Sequence, residues 1–317
     1  MPNVAVYGAA CIDIHAVCFG KYVPGDSNPG SSYISTGGVG RNIAENCVRL
    51  GLHVDLVTVI GDDEHSSIIV GDCAKLGIGL EQSLFLKNAA TPRYICTLDC
   101  DGSLVGAVAA MEALDRFSVA DFEKRTSAGD KADIIVLDAG FPEAVISAAC
   151  KRWSTKTLFF DPVSAAKAGK ARSSLSAFSI IKPNLCEALS LAGLEQDAAL
   201  SEPLHTAAKR SAEILYERGV GEVFVSLGRA GLLYYSESGC GIVRPLDMPL
   251  VNVSGAGDAA SAGIVWASFS NCDTVQKARY AIASASLCVS SEYTVSKKMS
   301  VSYIEELVKE VQHEFIS

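Results

Sequence analysis

The chain lacks most of what would point to redox, metal, nucleic-acid or membrane chemistry. Its 317 residues hold five histidines (His15, His53, His65, His205 and His313), and none stands in an H-E-x-x-H or comparable ligand spacing. Eleven cysteines are present without a C-x-x-C, and the closest pair, Cys96 and Cys100, falls in or beside a hairpin strand. Most, such as Cys47, Cys186 and Cys288, lie in apolar segments where a free thiol acts as a small hydrophobe, so a reducing setting is expected. Basic residues number 27 against 36 acidic ones, a net charge of −9, which excludes a nucleic-acid partner and leaves room only for a local phosphate pocket. No basic residue precedes Lys21, and no apolar run approaches the ~18 residues of a membrane span, so the expected location is cytoplasmic with no membrane partner. A G-x-x-x-x-G-K-[ST] loop is missing, as are D-F-G and H-R-D, which excludes P-loop NTPases and protein kinases. Val4–Gly8 reads as a buried first strand, yet the G-x-G-x-x-G turn of a dinucleotide site does not follow it.

What is present is globular: 49% of residues are hydrophobic and 20% charged, at a length that fits one large α/β domain or two ordinary ones. Between residues 14 and 36 the pattern is of short strands around the loop Pro24–Gly30, not of a first crossover helix. Thr91–Leu98 and Leu104–Ala109 flank Asp99-Cys-Asp-Gly102, a hairpin signal. These two excursions, roughly 14–36 and 91–109, pair as one small lid sheet. After Met111 the chain alternates. Strands are expected at Ile134–Leu137, Thr157–Phe160, Ser179–Lys182 and Val223–Ser226, with helices at Glu143–Arg152, Ala165–Ser176 and Leu204–Arg218. Alternation of this kind predicts a mostly parallel sheet with helices on both faces, read as one domain over 1–317. Ligands then bind at the C-terminal strand ends, where Asp13, Asp138, Asp161, Asn184 and Gly228 follow apolar runs.

The densest motif is Asn252-Val-Ser-Gly-Ala-Gly-Asp258. A strand-like run, Met248–Val251, enters it, and the small-residue helix Ala259–Phe269 leaves it. Gly255, Ala256 and Gly257 can turn several N–H groups toward one point at a helix N-terminus, a seat for an anion beside the Asp258 carboxylate. Such a pairing suggests phosphoryl transfer, although alone it also reads as a tight turn with Asp258 as N-cap. Gly37-Gly-Val-Gly-Arg-Asn42 opens another helix, either as a sugar seat with Asn42 donating to hydroxyls or as a capped turn. Asp13 reads as a grip for vicinal hydroxyls or as a turn residue. Asn184 and Glu187, three apart, fit either a hydrated magnesium site or a capping box. Ser226-Leu-Gly-Arg-Ala-Gly231 reads as a phosphate-passing loop or as a turn into the strand Leu232–Tyr235.

In combination and in this order, these residues resemble the PfkB (ribokinase-like) family of sugar and nucleoside kinases. The diagnostic pieces are Gly37–Asn42, Asn184-x-x-Glu187 and Val253-Ser-Gly-Ala-Gly-Asp258. Within the family the sequence is most similar to the pseudouridine-kinase branch, through Asp26–Gly30, Thr36–Asn42, Asp161–Ser164 and Ser291–Thr294. The resemblance implies a three-layer α/β/α sandwich with a β-sheet lid that often forms a homodimer contact. It implies phosphorylation of a 5′-hydroxyl by ATP, with Asp258 as base and Gly255, Ala256 and Gly257 stabilising the transferred group. Asn184 and Glu187 would order magnesium waters. Asp13, Gly37, Gly38, Arg41 and Asn42 would hold the ribose, and Asn184, Ser226, Gly228, Gly231, Ser254, Gly255, Gly257 and Ile282 would line the ATP site. Ser27, Asn28 and Lys167, with Asp138 in support, are the candidates facing the base. Asn252 stands where many relatives have the Asp of a monovalent-cation (K+) site, and removes its charge. Other nucleosides or sugars (ribose, adenosine, cytidine) and a non-catalytic nucleoside-binding relative remain alternatives.

Overall fold

A computed structural model describes residues 2–197 and 201–316. In chain order its strands are β1 (Asn3–Tyr7), β2 (Cys11–Cys18), β3 (Gly30–Gly37), β4 (His53–Val57), β5 (Val59–Ile60), β6 (Leu84–Phe85), β7 (Arg93–Leu98), β8 (Leu104–Ala110), β9 (Ile134–Asp138), β10 (Thr157–Asp161), β11 (Ile180–Ile181), β12 (Glu222–Ser226), β13 (Leu232–Ser236), β14 (Gly239–Val243) and β15 (His313–Phe315). Nine of them form the main sheet in the order β15-β14-β13-β12-β11-β10-β9-β1-β4. From β4 to β12 every neighbour is parallel; β13, β14 and β15 are added antiparallel.

Strand alternation explains the layers. Ala5 and Tyr7 of β1 join one buried cluster and Val4 and Val6 the other, so both faces of the sheet are covered. Helices Glu143–Arg152, Leu185–Ala192 and Leu204–Glu217 pack on the first face, through residues such as Ile146, Leu189 and Leu215. Helices Val39–Arg49, Ala256–Phe269 and Thr274–Val289 pack on the second, through Ile43, Ile264 and Ala281. This is a three-layer α/β/α sandwich. The run Ala259–Gly263 is small because two helices nearly touch there: a Cβ on Gly263 would meet the Tyr280 carbonyl oxygen at 2.7 Å.

Outside the sandwich, β3-β2-β7-β8 form a separate four-stranded sheet. β2 leaves β1 after three residues, so the small sheet begins at the C-terminal edge of the large one.

Several boundaries differ from the sequence reading. Met248–Val251 is not a strand: Pro249 supplies no N–H, Leu250 and Val251 are exposed, and β14 pairs instead with β15. The segment from Ala165 is helical only to Ala168 and continues as a 3-10 helix over Gly169–Ala177. Among the described residues no helix is long and apolar enough to cross a membrane, and the eleven cysteines are free.

Candidate active site

The C-terminal ends of β9, β10 and β11 bring Asp138, Asp161 and Lys182 to the edge where helix Ala256–Phe269 begins. Gly255 is the N-cap of that helix, with φ +79°, and a Cβ there would lie 2.1 Å from the Thr294 carbonyl oxygen. Only glycine fits this position on both counts. Asp258 is therefore not the cap but a residue of the first turn, beside the unpaired N–H groups of the helix start.

Asn42 reaches the same point from the start of helix Val39–Arg49, and its Nδ2 donates to Asp258 Oδ2 at 2.8 Å. Behind it Arg41 Nη1 donates to Asn42 Oδ1 at 3.2 Å. The buried guanidinium is paired with Glu45 at 2.6 Å and with Asp72. Arg41 was expected on the ribose; its pairing makes it the support that aims Asn42 instead. Thr36 Oγ1 also donates to Asp72, tying β3 to the same network.

Burial, and then the nearby Asp161 charge, push the Asp258 carboxyl up to about 8; the Asn42 hydrogen bond and Lys182 act the other way. Lys182 is 4% exposed, and its Nζ lies 3.4 Å from Asp161 Oδ2. Burial lowers its pKa, but Asp161, Glu187 and Asp258 together outweigh that and raise it. Its ammonium sits 3.4 Å from where a Cβ of Gly257 would be, directly under the glycine turn. Asp161 also accepts from Ser261 Oγ at 3.0 Å. The roles of Lys182 and Asp161 were not read from sequence. The available signal was that each follows an apolar strand at the same sheet edge.

Asn184 and Glu187 form a reciprocal capping box for helix Leu185–Ala192. Asn184 Oδ1 accepts from the Glu187 N–H at 2.9 Å, and Glu187 Oε2 accepts from the Asn184 N–H at 2.8 Å. Asn184 Nδ2 donates to Glu187 Oε1 at 2.8 Å. Glu187 is buried, which raises its pKa, and the Asp161 charge raises it further. Three carboxylates, Asp161, Glu187 and Asp258, thus face one ammonium, a surplus of negative charge that a cation would offset. Among the described residues no cluster of three or more His, Cys, Asp or Glu could grip a metal directly. The donor set fits an ion held through water and a ligand's own oxygens.

At the junction of the two sheets, Asp13 lies over Gly37, where a Cβ would be 2.1 Å from its Oδ2. The Cys11 thiol donates to Asp13 Oδ1 at 3.2 Å, and burial raises the Asp13 pKa. Gly38, at φ +96°, packs against Ala9 and leaves Arg41 N–H bonded to the Ala9 carbonyl at 3.0 Å. The Lys167 ammonium has no hydrogen-bond or ion-pair partner among the described residues. Its charge acts on Cys11 and Asp138.

Two further expectations do not hold. Asp138 is fully buried, accepting from the Ala9 and Gly140 N–H groups at 2.7 Å each; it fixes the β1 and β9 loops and does not reach a ligand. Burial pushes it up to about 6. Ser27 and Asn28 lie beyond the Cys18–Gly30 end of the β2–β3 pair, five register steps from Asp13, roughly 17 Å away. Asn28 is used up locally, bonding Val23 and Asp26 within its own turn.

On the other side of the Gly255–Asp258 turn a cavity of about 630 Å³ is lined by Ser226, Gly228, Gly231, Ala256, Gly257 and Ile282 among others. Of the expected ATP-site residues, Ser226, Gly228, Gly231, Gly257 and Ile282 share this pocket, whereas Asn184, Gly255 and Ser254 do not line it. Ser254 is exposed at the rim, with its N–H on Asn252 Oδ1 at 2.9 Å. Asn252 Nδ2 donates to the Glu292 carbonyl at 3.3 Å. Asn252 thus turns its Nδ2 toward that carbonyl and its Oδ1 toward Ser254, and brings no charge to the site.

This architecture is shared with known proteins. The Escherichia coli K12 pseudouridine kinase is 28% identical over 310 residues, covering 98% of this chain and 97% of that one. A carbohydrate kinase from Agrobacterium tumefaciens superposes with a TM-score of 0.85 at 27% identity over the full length of both chains. The Arabidopsis thaliana ribokinase solved with ribose and ATP has the same fold, with a TM-score of 0.80 at 21% identity, covering 97% of this chain and 99% of that one. The pfkB family carbohydrate kinase profile matches residues 1–300. The chain belongs to the pfkB family of carbohydrate kinases, phosphotransferases with an alcohol group as acceptor.

Proposed function

We propose that the chain transfers the γ-phosphoryl group of ATP to the 5′-hydroxyl of a nucleoside, with pseudouridine as the preferred substrate. The observation that carries the reading is the Asn42–Asp258 contact at the mouth of the Gly255–Gly257 turn. It supports an orientated carboxylate next to Ala256 and Gly257, which line the cavity of about 630 Å³. In this reading Asp258 takes the hydroxyl proton as the oxygen attacks phosphorus. The N–H groups of the turn, with Lys182 beneath them, balance the charge on the equatorial oxygens.

Asp13 holds the sugar hydroxyls, Gly37 and Gly38 let the sugar approach the backbone, and Lys167 faces the base. A magnesium ion on the ATP phosphates would be held through water by Asn184 and Glu187, and supplies charge neutralisation. No K+ ion is assigned a place, since Asn252 lacks the charge of an aspartate. The small sheet would act as a lid, and its exposed apolar strip of Ile34, Ile95 and Val108 fits a homodimer contact.

The pseudouridine assignment is supported by the relative of that activity, similar from end to end. The test is ATP turnover over a panel of pseudouridine, uridine, cytidine, adenosine and ribose. Pseudouridine is expected to show the highest kcat/KM; a higher value for adenosine or ribose overturns the substrate, and no turnover of any of them overturns the kinase.

A further inference from the structure

We infer that the nucleobase is read by a row of side chains on the cleft face of the small sheet, with His15 and Tyr33 as the recognition groups. The inference rests on the nucleoside reading of the same cleft and names the residues that would select it.

Alternation divides the small sheet into two faces. Ile12 is buried in the second core cluster and Ile14 packs against it, and Thr36, opposite Ile12, donates to Asp72 of helix Glu64–Leu76. Asp13 and His15 therefore stand on the opposite face, the one that Asp13 already shares with Gly37 and the sugar cleft. The register sets His15 against Tyr33 on one neighbour and Cys96 on the other, so the three form a row across β3, β2 and β7. It runs parallel to the row of Ser35, Asp13 and Tyr94, one step nearer the sugar.

The His15–Tyr33 part of this second row is ordered and only partly covered. The His15 and Tyr33 rings stack at 4.6 Å with 11° between their planes, and Cys96 Sγ lies 3.1 Å from His15 Nδ1. Cys96 is buried, whereas Tyr33 is 52% exposed. The contact at Nδ1 leaves Nε2 as the spare ring nitrogen. Neither Nε2 nor the Tyr33 hydroxyl has a protein partner among the described residues. A ring pair placed only to fill a core would be covered by other side chains; this one keeps an aromatic face and two polar atoms open.

Its position suits a base. Successive rows along β2 are roughly 7 Å apart. With the reacting hydroxyl at Asp258 and the sugar hydroxyls at Asp13, a ring attached to the far side of the sugar falls on the second row. A heteroaromatic base offers a π face and a hydrogen-bonding edge to these groups, and a simple sugar offers neither.

The experiment compares kcat/KM for pseudouridine, uridine and ribose in wild type, His15→Ala and Tyr33→Ala, with thermal melting to confirm folding. Tyr33→Phe is added to separate the hydroxyl from the ring. Wild type should prefer a nucleoside to ribose, and each alanine variant should lower that preference about tenfold or more, through KM for the nucleoside. Folded variants that keep the wild-type preference overturn the inference alone. A wild type that prefers ribose overturns the nucleoside reading itself, so the two failures are distinct.

Discussion

Replacing Asn42 with alanine should move the pH dependence of the reaction toward alkaline pH. In the folded chain the Asp258 carboxyl sits near 8 because burial and the Asp161 charge oppose its ionisation. The Asn42 amide, donating at 2.8 Å, works against that by stabilising the carboxylate. A hydrogen bond to a charged group contributes about 1.5–3 kcal/mol. One pKa unit corresponds to about 1.4 kcal/mol, so losing the full bond would raise the pKa by roughly one to two units. Water entering the space left by the amide recovers part of this, so the lower end is expected. The base must be ionised to accept a proton, and the acidic limb of kcat/KM should therefore shift up by about one unit. The assay is ADP release from pH 6 to 10 at fixed ATP and magnesium, with wild type and variant side by side. A limb that stays in place while the rate falls would show that Asn42 only holds substrate, and would refute the coupling drawn between the two residues.

Three other outcomes follow from the same geometry. Between about pH 4 and 8 folded Asp258 keeps a proton that the unfolded chain has released, so this group makes stability fall as pH rises through that window. Asp258→Asn should remove that slope and melt no lower than wild type at pH 8; a lower melting temperature there contradicts the assigned burial. Gly255→Ala should lower the melting temperature and abolish turnover, because its φ of +79° and the Thr294 carbonyl 2.1 Å from a Cβ leave no room; near wild-type activity would mean the turn is not rigid. Activity should be equal in sodium, potassium and choline chloride, whereas Asn252→Asp restores an acceptor and a charge and should introduce a potassium response. Strong potassium activation of the wild type would refute the reading of Asn252.

Much of this was legible in the sequence because the parallel sheet reads as buried apolar runs, each followed by a polar residue at the ligand edge. Helix Glu143–Arg152 begins and ends where its periodicity placed it, and the two β excursions appear as one sheet. What was not legible depends on which partner a side chain finds across the fold. Arg41 sits in the glycine motif beside Asn42, but Glu45 and Asp72 claim its guanidinium, and Asp72 is 31 residues away. Asp138 follows an apolar strand just as Asp161 does, yet two backbone N–H groups consume it. Ser27 and Asn28 were misplaced because their distance from Asp13 depends on the β2–β3 register, which a sequence pattern does not reveal. Lys182 escaped notice as the residue before Pro183, although its burial beneath Gly257 makes it the one cation among three carboxylates.

The most direct test is the phosphorylation rate of Asp258→Asn with ATP, magnesium and pseudouridine, measured on folded protein. Loss of a general base costs on the order of 10²–10⁴-fold, and the account predicts a fall of that size in kcat with KM for ATP little changed. A rate within a few-fold of wild type would contradict the assignment of Asp258 as the group that takes the proton.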